Sequence, residues 1–354
     1  FLGWKCFSSK RKKDMTVLTD SQLKRLKDHK YCSEGKSALE VFFQPFWNYV
    51  VSKMPLWVAP NLITISGLII NVLTSALILL YSPKADSDEV PGLVFILCAI
   101  GLFLYQTLDA IDGKQARRTN TSTPMGELFD HGCDAVSTLF LSTSIACALS
   151  LGTYPRYLFF FFINNVAIFY LAHWQTYCFG KLMFGLIDVT EAQVQAMAIY
   201  VFAGIYGPQF FRQEVMVLQF RMPLAKLLVY VCAFTAVIYT LTAFRKIFKG
   251  GAGKNGTTVA TTSVLTPVVP IGIVIACAFY VYKHSTDNLF HTSPVLIMMM
   301  FGFSTAKITC NLVIASMSKS PLDMLDSTML GPISWLASII SVYKVYFLMW
   351  HLIQ

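Results

Sequence analysis

The sequence predicts an all-α fold, a polytopic membrane helical bundle of about nine to ten transmembrane helices with an N-terminal interfacial helix. Of the 354 residues, 55% are hydrophobic and only 13% are charged. Long apolar runs also recur along the whole chain, each of roughly 17–25 residues, which is enough to cross ~30 Å of hydrocarbon. Because only helices and closed barrels satisfy the backbone in lipid, continuous runs of this length indicate helices.

The chain divides into three predicted parts. Residues 1–60 form a cytosolic N-terminal segment, residues 61–250 a transmembrane core, and residues 251–354 the C-terminal transmembrane helices. Nine spans are predicted, at residues 62–81, 92–109, 134–151, 157–178, 194–211, 223–244, 263–282, 295–316 and 328–350.

Two short elements are predicted before the first span. The stretch from Thr19 to Gln22 is typical of a capping box that opens a short basic helix. A second helix, which Pro45 is well suited to open, gathers an apolar face. That face consists of Phe42, Phe43, Phe46, Trp47, Val50 and Val51. Such a helix either lies flat on the cytosolic leaflet or packs against the bundle, and the sequence does not distinguish the two.

The distribution of basic residues predicts the orientation. Lysine and arginine are concentrated in the N-terminal segment and in the loops after the second and sixth spans, which places these regions in the cytosol. The first inter-span loop is acidic and falls on the other side. Arg212, Arg221 and Lys226 oppose this pattern. A Gly-rich stretch at 249–258 lacks the spacing of a phosphate-binding loop and is expected to be a flexible cytosolic loop.

Four carboxylates at the edge of apolar sequence are the strongest functional signal. Asp109 and Asp112 share a helix face at i,i+3, and Asp130 and Asp134 share one at i,i+4. Acidic groups at membrane depth are costly unless paired, and four of them cannot pair with one another. Hard divalent cations such as Mg²⁺, Mn²⁺ or Ca²⁺ solve this problem. Solvated charge on a loop is the alternative, but the acids keep helical spacing on both sides of the turn.

Small and basic residues accompany the carboxylates. Gly113 and Ala116 lie on the face of Asp109 and would let a ligand approach the backbone. Arg117 beside them offers a fork that matches phosphate.

The run from Asp109 to Asp134 resembles the signature of the CDP-alcohol phosphotransferases. All eight fixed positions of that signature are present: Asp109, Asp112, Gly113, Ala116, Arg117, Gly126, Asp130 and Asp134. Flanking stretches, such as Gln-Ala-Arg-Arg-Thr-Asn at 115–120 and Ala-His-Trp-Gln-Thr-Tyr at 172–177, resemble the eukaryotic choline and ethanolamine phosphotransferases. The similarity extends from about Leu23 to Lys319 and implies ten spans.

This resemblance implies an activity and a set of ligands. The expected enzyme joins CDP-choline or CDP-ethanolamine with diacylglycerol, giving phosphatidylcholine or phosphatidylethanolamine and CMP. Two Mg²⁺ or Mn²⁺ ions would be held by the four aspartates, with Asp109 and Asp130 bridging both. Arg117 would contact a nucleotide phosphate. Asn61 would reach the nucleotide as well, although it equally suits a helix cap. The expected location is the endoplasmic reticulum or Golgi membrane, with membrane lipids and a second copy of the chain as partners and no nucleic acid.

The lipid hydroxyl needs a base, and His131 is the preferred candidate. Its ordinary pKa matches neutral pH, and Glu127, one turn earlier, could orient its imidazole. The alternatives are a structural histidine, or Asp134 as the base.

Trp174 and Tyr177 could recognise the head group. At i,i+3 they could flank a quaternary ammonium by cation–π contact. An aromatic belt at the membrane interface explains the pair at least as well.

Two other functions are alternatives. Intramembrane carboxylates also mark ion pathways, so a divalent-cation transporter is one alternative. A related transferase that uses another alcohol, such as inositol, is the other.

Overall fold

The computed structural model describes residues 18–217, 219–284, 289–325 and 327–334 of the chain. It confirms the all-α class. The α-helices within these residues are α1 Asp20–Lys27, α2 Glu40–Lys53, α3 Pro60–Tyr81, α4 Gly92–Arg118, α5 Pro124–Ala148, α6 Pro155–Phe179, α7 Val189–Tyr206, α8 Leu224–Phe248, α9 Val268–His284, α10 Leu289–Thr292 and α11 Pro294–Met317. Two very short sheets join them: β1 Ser33–Glu34 with β2 Leu182–Met183 in parallel, and β3 Glu214–Val217 with β4 Phe220–Pro223 in an antiparallel hairpin.

Eight of the nine predicted spans coincide with helices. Five of these helices, α3, α4, α6, α8 and α11, are long and apolar enough to cross a membrane, and α9 is a shorter apolar helix. Polar side chains along α5 and α7 lower their hydropathy, so these two helices do not meet that criterion. Most of the ninth predicted span, 328–350, lies outside the described residues. Because five of its helices are long and apolar enough to cross a membrane, the chain is a multi-pass membrane protein.

Small residues bring the central helices together. Helix α3 packs along α4 and α5, α4 also packs on α7, and α5 and α6 both pack on α11. A Cβ at Gly101 of α4 would lie 2.7 Å from the Thr74 side chain of α3. Polar side chains add bonds between helices, as where Asn71 Nδ2 donates to Ser137 Oγ at 2.6 Å. Close packing of small residues and interhelical hydrogen bonds are the usual means of helix association in membranes.

The two N-terminal elements form, with one correction. Thr19 and Gln22 make the predicted capping box at the start of α1. Helix α2 begins at Glu40, so Pro45 lies inside the helix instead of opening it. The start is displaced because Ser37 and Glu40 exchange side-chain bonds to each other's backbone N–H and stabilise the earlier turn. Trp47 is buried against the bundle and Phe42 is exposed, so α2 both packs on the bundle and keeps an apolar outer face.

The Gly-rich loop differs from its prediction, and the first inter-span loop explains why Arg212 opposes the charge pattern. The Gly-rich stretch is a compact loop docked on the end of α6, where the Ala252 N–H donates to the Cys178 carbonyl at 2.9 Å. A Cβ at Gly251 would collide with backbone there, which explains the glycine. Arg212, which opposed the predicted charge pattern, forms an ion pair with Asp88 of the acidic first loop. Its charge is therefore neutralised on the face where it lies.

Candidate metal and substrate site

The site lies where the C-terminal half of α4 faces the first half of α5. Helix α4 continues nine residues past the end of the predicted span at Asp109, through to Arg118. Helix α5 begins at Pro124, and the Thr123 hydroxyl caps it by accepting from the Gly126 N–H at 3.1 Å. This cap stabilises the first turn of the helix that carries Asp130 and Asp134.

The structure brings the four predicted aspartates together. Carboxylate oxygens of Asp109, Asp112 and Asp130 all lie within 4.8 Å of one another. Ligand atoms of Asp130, His131 and Asp134 form a second group within the same limit. Asp130 belongs to both groups, which is the position a bridging carboxylate would occupy. Asp109 belongs to the first group only.

Neighbouring hydroxyls orient two of the carboxylates. The Tyr105 hydroxyl donates to Asp134 Oδ1 at 2.6 Å, and the Thr64 hydroxyl donates to Asp112 Oδ2. Asp130 Oδ1 is buried and has no hydrogen-bond partner among the described residues. No lysine or arginine in the described part of the chain forms an ion pair with any of the four.

Clustered buried oxygens of this kind fit a divalent cation. Buried acidic groups must be paired, hydrogen-bonded or bound to metal to offset their loss of hydration. The oxygen-only donor set of the four aspartates matches hard ions.

Arg117, Gly113 and Asn61 lie around the carboxylates. The Arg117 side chain is exposed and passes over Gly113, where a Cβ would meet Nη1 at 3.5 Å. Arg117 has no ion pair within the described ranges. Asn61 does not cap α3: the cap residue is Ala59, with no side-chain bond. Its Oδ1 instead lies next to Gly126, 3.4 Å from where a Cβ would be.

His131 does not form the predicted hydrogen bond with Glu127. Its Nε2 lies 3.9 Å from Glu127 Oε1, beyond hydrogen-bonding distance. Glu127 bonds instead to His29, whose Nε2 lies 3.0 and 3.1 Å from the two carboxylate oxygens. The His131 ring meets the buried His173 ring edge to face, with centroids 5.1 Å apart. His29, Glu127, His131 and His173 line one cavity of about 300 Å³.

Trp174 and Tyr177 are not placed to hold a head group. Trp174 is buried and its Nε1–H donates to the Val264 carbonyl at 2.7 Å. Tyr177 is fully buried, and its hydroxyl bonds to the Ser320 carbonyl and accepts from the Leu322 N–H, each at 3.2 Å. Both rings therefore fasten the end of α6 to neighbouring loops, and neither lines the cavity.

Three residues of the site escaped sequence analysis: His29, Thr64 and Tyr105. Thr64 and Tyr105 lie within apolar spans, where a lone hydroxyl is unremarkable. His29 lies 98 residues from its partner Glu127. No periodic signal in the sequence connects positions so far apart.

Comparison with known proteins adds independent information. The family model described as CDP-alcohol phosphatidyltransferase matches residues 57–238. Cholinephosphotransferase 1 of Danio rerio is 46% identical over 315 residues, covering 89% of this chain and 82% of that protein. Cholinephosphotransferase 1 of Homo sapiens is 43% identical over 316 residues, with coverages of 89% and 77%. An uncharacterized CDP-alcohol phosphatidyltransferase class-I family protein of Dictyostelium discoideum is 32% identical over 317 residues, with coverages of 89% and 80%. The family match includes all eight positions from Asp109 to Asp134.

Proposed function

The chain belongs to the CDP-alcohol phosphatidyltransferase family, and from this premise we propose that it joins CDP-choline with diacylglycerol to give phosphatidylcholine and CMP. The observation that carries the proposal is that the four aspartates of α4 and α5 meet in two overlapping groups of ligand atoms that share Asp130. Among the described residues, no lysine or arginine forms an ion pair with them. The relatives named cholinephosphotransferase favour choline as the head group and make inositol a poor alternative. Family membership also removes the reason to invoke a cation transporter.

The four aspartates would hold two Mg²⁺ or Mn²⁺ ions. Such ions, when bound, neutralise charge on a diphosphate and on the departing nucleotide phosphate. Arg117, which forms no ion pair within the described residues, contacts a phosphate of the nucleotide with its guanidinium. Asn61 lies beside Gly126 at the start of α5 and contacts the nucleotide from there. Gly113 leaves the α4 backbone open to the ligand.

His131 takes the proton from the diacylglycerol hydroxyl on an imidazole nitrogen. The lipid oxygen then bonds to the phosphorus that carries choline, and the bond from that phosphorus to the bridging oxygen breaks. CMP leaves with the electron pair of that bond. Glu127 Oε1 lies 3.9 Å from His131 Nε2, where its charge would stabilise the positive charge that the ring gains in the transition state.

Reconstitution tests the proposal. The full chain in nanodiscs with diacylglycerol receives CDP-choline, CDP-ethanolamine or CDP alone, and the lipid product is identified by mass spectrometry. We expect phosphatidylcholine from CDP-choline, loss of activity with chelator, and recovery with Mg²⁺ or Mn²⁺. Phosphatidylethanolamine as the main product would move the head-group assignment, and full activity in excess chelator would contradict the metal assignment.

We also propose that the site faces the cytosol in the membrane of the endoplasmic reticulum or Golgi. The two arginines in the last turn of α4, Arg117 and Arg118, support this orientation. A cysteine at the exposed Asn120 should react with an impermeant thiol reagent outside sealed microsomes, in a chain stripped of reactive native thiols. The matched control is Glu89→Cys in the acidic loop, which should be protected until the membrane is opened. The reverse pattern would overturn the orientation. The homodimer stays a prediction, which native mass spectrometry tests.

A further inference from the structure

The segment before α2 is fastened across the site at two places. We call residues 19–39 the N-terminal strap. At its first half, Arg25 Nη1 donates to the Lys319 carbonyl at 2.9 Å. Leu26 is 5% exposed and packs with Val313 and Met317 of α11. Helix α1 is thereby held on the end of α11.

The second half of the strap is fastened to the loop after α6. Strand β1 pairs with β2, and the Ala38 N–H donates to the Leu186 carbonyl at 3.0 Å. Glu34 forms an ion pair with Lys181, and the hydrogen bond from that ammonium lowers the pKa of Glu34. His29 lies between these two attachments, so its position is set from both sides.

His29 reaches from the strap to Glu127 on the first turns of α5. Its Nε2 is within hydrogen-bonding distance of both carboxylate oxygens, and both side chains are mostly buried, 15% and 17% exposed. The same Glu127 carboxylate faces His131 Nε2. Glu127 therefore lies between His29 and His131 and is close to both.

We propose that His29 is a positioning residue that holds the Glu127 carboxylate in place for His131, an inference that rests on the function proposed above. A glutamate side chain has several rotamers, and fixing one of them costs conformational entropy that a bond must offset. His29 supplies that bond from a segment anchored independently of α5. It touches no reacting atom, and its effect on turnover passes through Glu127.

A double-mutant cycle tests this inference in nanodiscs with CDP-choline and diacylglycerol. His29→Ala should lower kcat by about 10- to 100-fold, by analogy with the loss of an outer hydrogen-bond partner of a metal ligand, with KM for CDP-choline within about twofold. In the Glu127→Gln background His29→Ala should cost almost nothing further, because the interaction it supports is already lost. His29→Gln, which keeps an N–H donor at the same reach, should recover most of the activity. Lys27→Ala, an exposed basic change on α1, is the matched control and should behave as wild type.

The outcomes separate this inference from the function on which it rests. Normal turnover by His29→Ala overturns the inference. It is also overturned if the fold-losses in kcat of His29→Ala and Glu127→Gln multiply in the double variant, because His29 then acts independently of Glu127. A rise in KM with unchanged kcat also overturns it. If His29→Ala aggregates, His29→Asn, which is polar but too short to reach Glu127, takes its place with the same expected loss. A wild-type chain that transfers from no CDP-alcohol contradicts the proposed function itself.

Discussion

The sequence predicted two binding regions, and their polar groups differ in whether they are bonded within the chain. The aspartates of α4 and α5 and the aromatic pair at the end of α6 both place polar atoms near helix ends beside apolar spans. At the aspartates, Asp130 Oδ1 is buried without a partner and Arg117 is free of ion pairs within the described residues. At the aromatic pair, the Trp174 and Tyr177 polar atoms are all bonded within the chain.

This difference distinguishes a binding site from a structural contact. Folded proteins satisfy nearly all their buried polar groups, so a buried group left unsatisfied needs an explanation. Among clustered carboxylates, a bound cation supplies that explanation for Asp130 Oδ1. The bonds of Trp174 and Tyr177 are complete without a ligand, which marks these residues as structural. Residue type alone does not reveal this, because either ring could have faced an opening.

The largest expected effect is at the aspartates. Asp112→Asn and Asp130→Asn should each lower kcat by about 10²- to 10³-fold or more, since they remove ligands of the cations that would stabilise negative charge in the transition state. In metal-free buffer their thermal unfolding temperature should be unchanged or higher, because crowded buried carboxylates destabilise the folded chain. Radiolabel transfer and differential scanning fluorimetry measure the two quantities. A large drop in unfolding temperature with the loss of activity would make these residues structural.

His131 should come next, with His173 as its control. His131→Ala should lower kcat by about 10²- to 10⁴-fold while CDP-choline binding changes little, because general-base catalysis is worth that much. His173→Phe keeps the edge-to-face ring contact and should cost less than about tenfold. Single-turnover kinetics and nucleotide-binding assays make the comparison. Loss of nucleotide affinity in His131→Ala would make it a binding residue.

Two adjacent arginines offer a smaller and sharper contrast. Arg117→Ala should weaken CDP-choline binding by about 10- to 100-fold, the value of charge-assisted bonds to phosphate, without changing the unfolding temperature. Arg118 Nη1 donates to the Val51 and Met54 carbonyls at 2.6 Å each. Arg118→Ala should therefore lower the unfolding temperature while leaving nucleotide affinity nearly intact. The same phenotype for both would remove the distinction between the bound and the free guanidinium.

The smallest effects are expected at the aromatic pair. Trp174→Phe and Tyr177→Phe should each cost about 1 kcal/mol of stability, the net value of a hydrogen bond. The ratio of CDP-choline to CDP-ethanolamine turnover should stay within about twofold. Competition assays with both substrates measure this ratio. A selective loss of choline turnover in either variant would restore the cation–π hypothesis.

The features that the sequence predicted correctly are those formed by residues close together in the chain. Asp109 and Asp112, like Asp130 and Asp134, lie within one helical turn of each other, so periodicity alone places each pair on one face. The length and hydropathy of the spans predicted the bundle for a similar reason. The start of α2 was misplaced because Ser37 and Glu40 cap an earlier turn than the one Pro45 favours.

Contacts between distant segments escaped prediction. The bond of His29 to Glu127 joins the strap to α5 and depends on tertiary packing, which local pattern does not encode. The burial of Trp174 likewise depends on the loop around Val264, 90 residues later in the chain. The compact Gly-rich loop was also missed, because its order comes from docking on α6.

The number of metal ions bound per chain is the decisive measurement for the proposed two-metal site. Purified wild-type chain, Asp130→Asn and Trp174→Phe are each titrated with Mn²⁺ in the presence of CDP, and the bound ion is counted by electron paramagnetic resonance. We expect two ions per chain for wild type and Trp174→Phe, and loss of at least one for Asp130→Asn, whose carboxylate belongs to both groups of ligands. Equal Mn²⁺ binding by wild type and Asp130→Asn would contradict the proposed two-metal site.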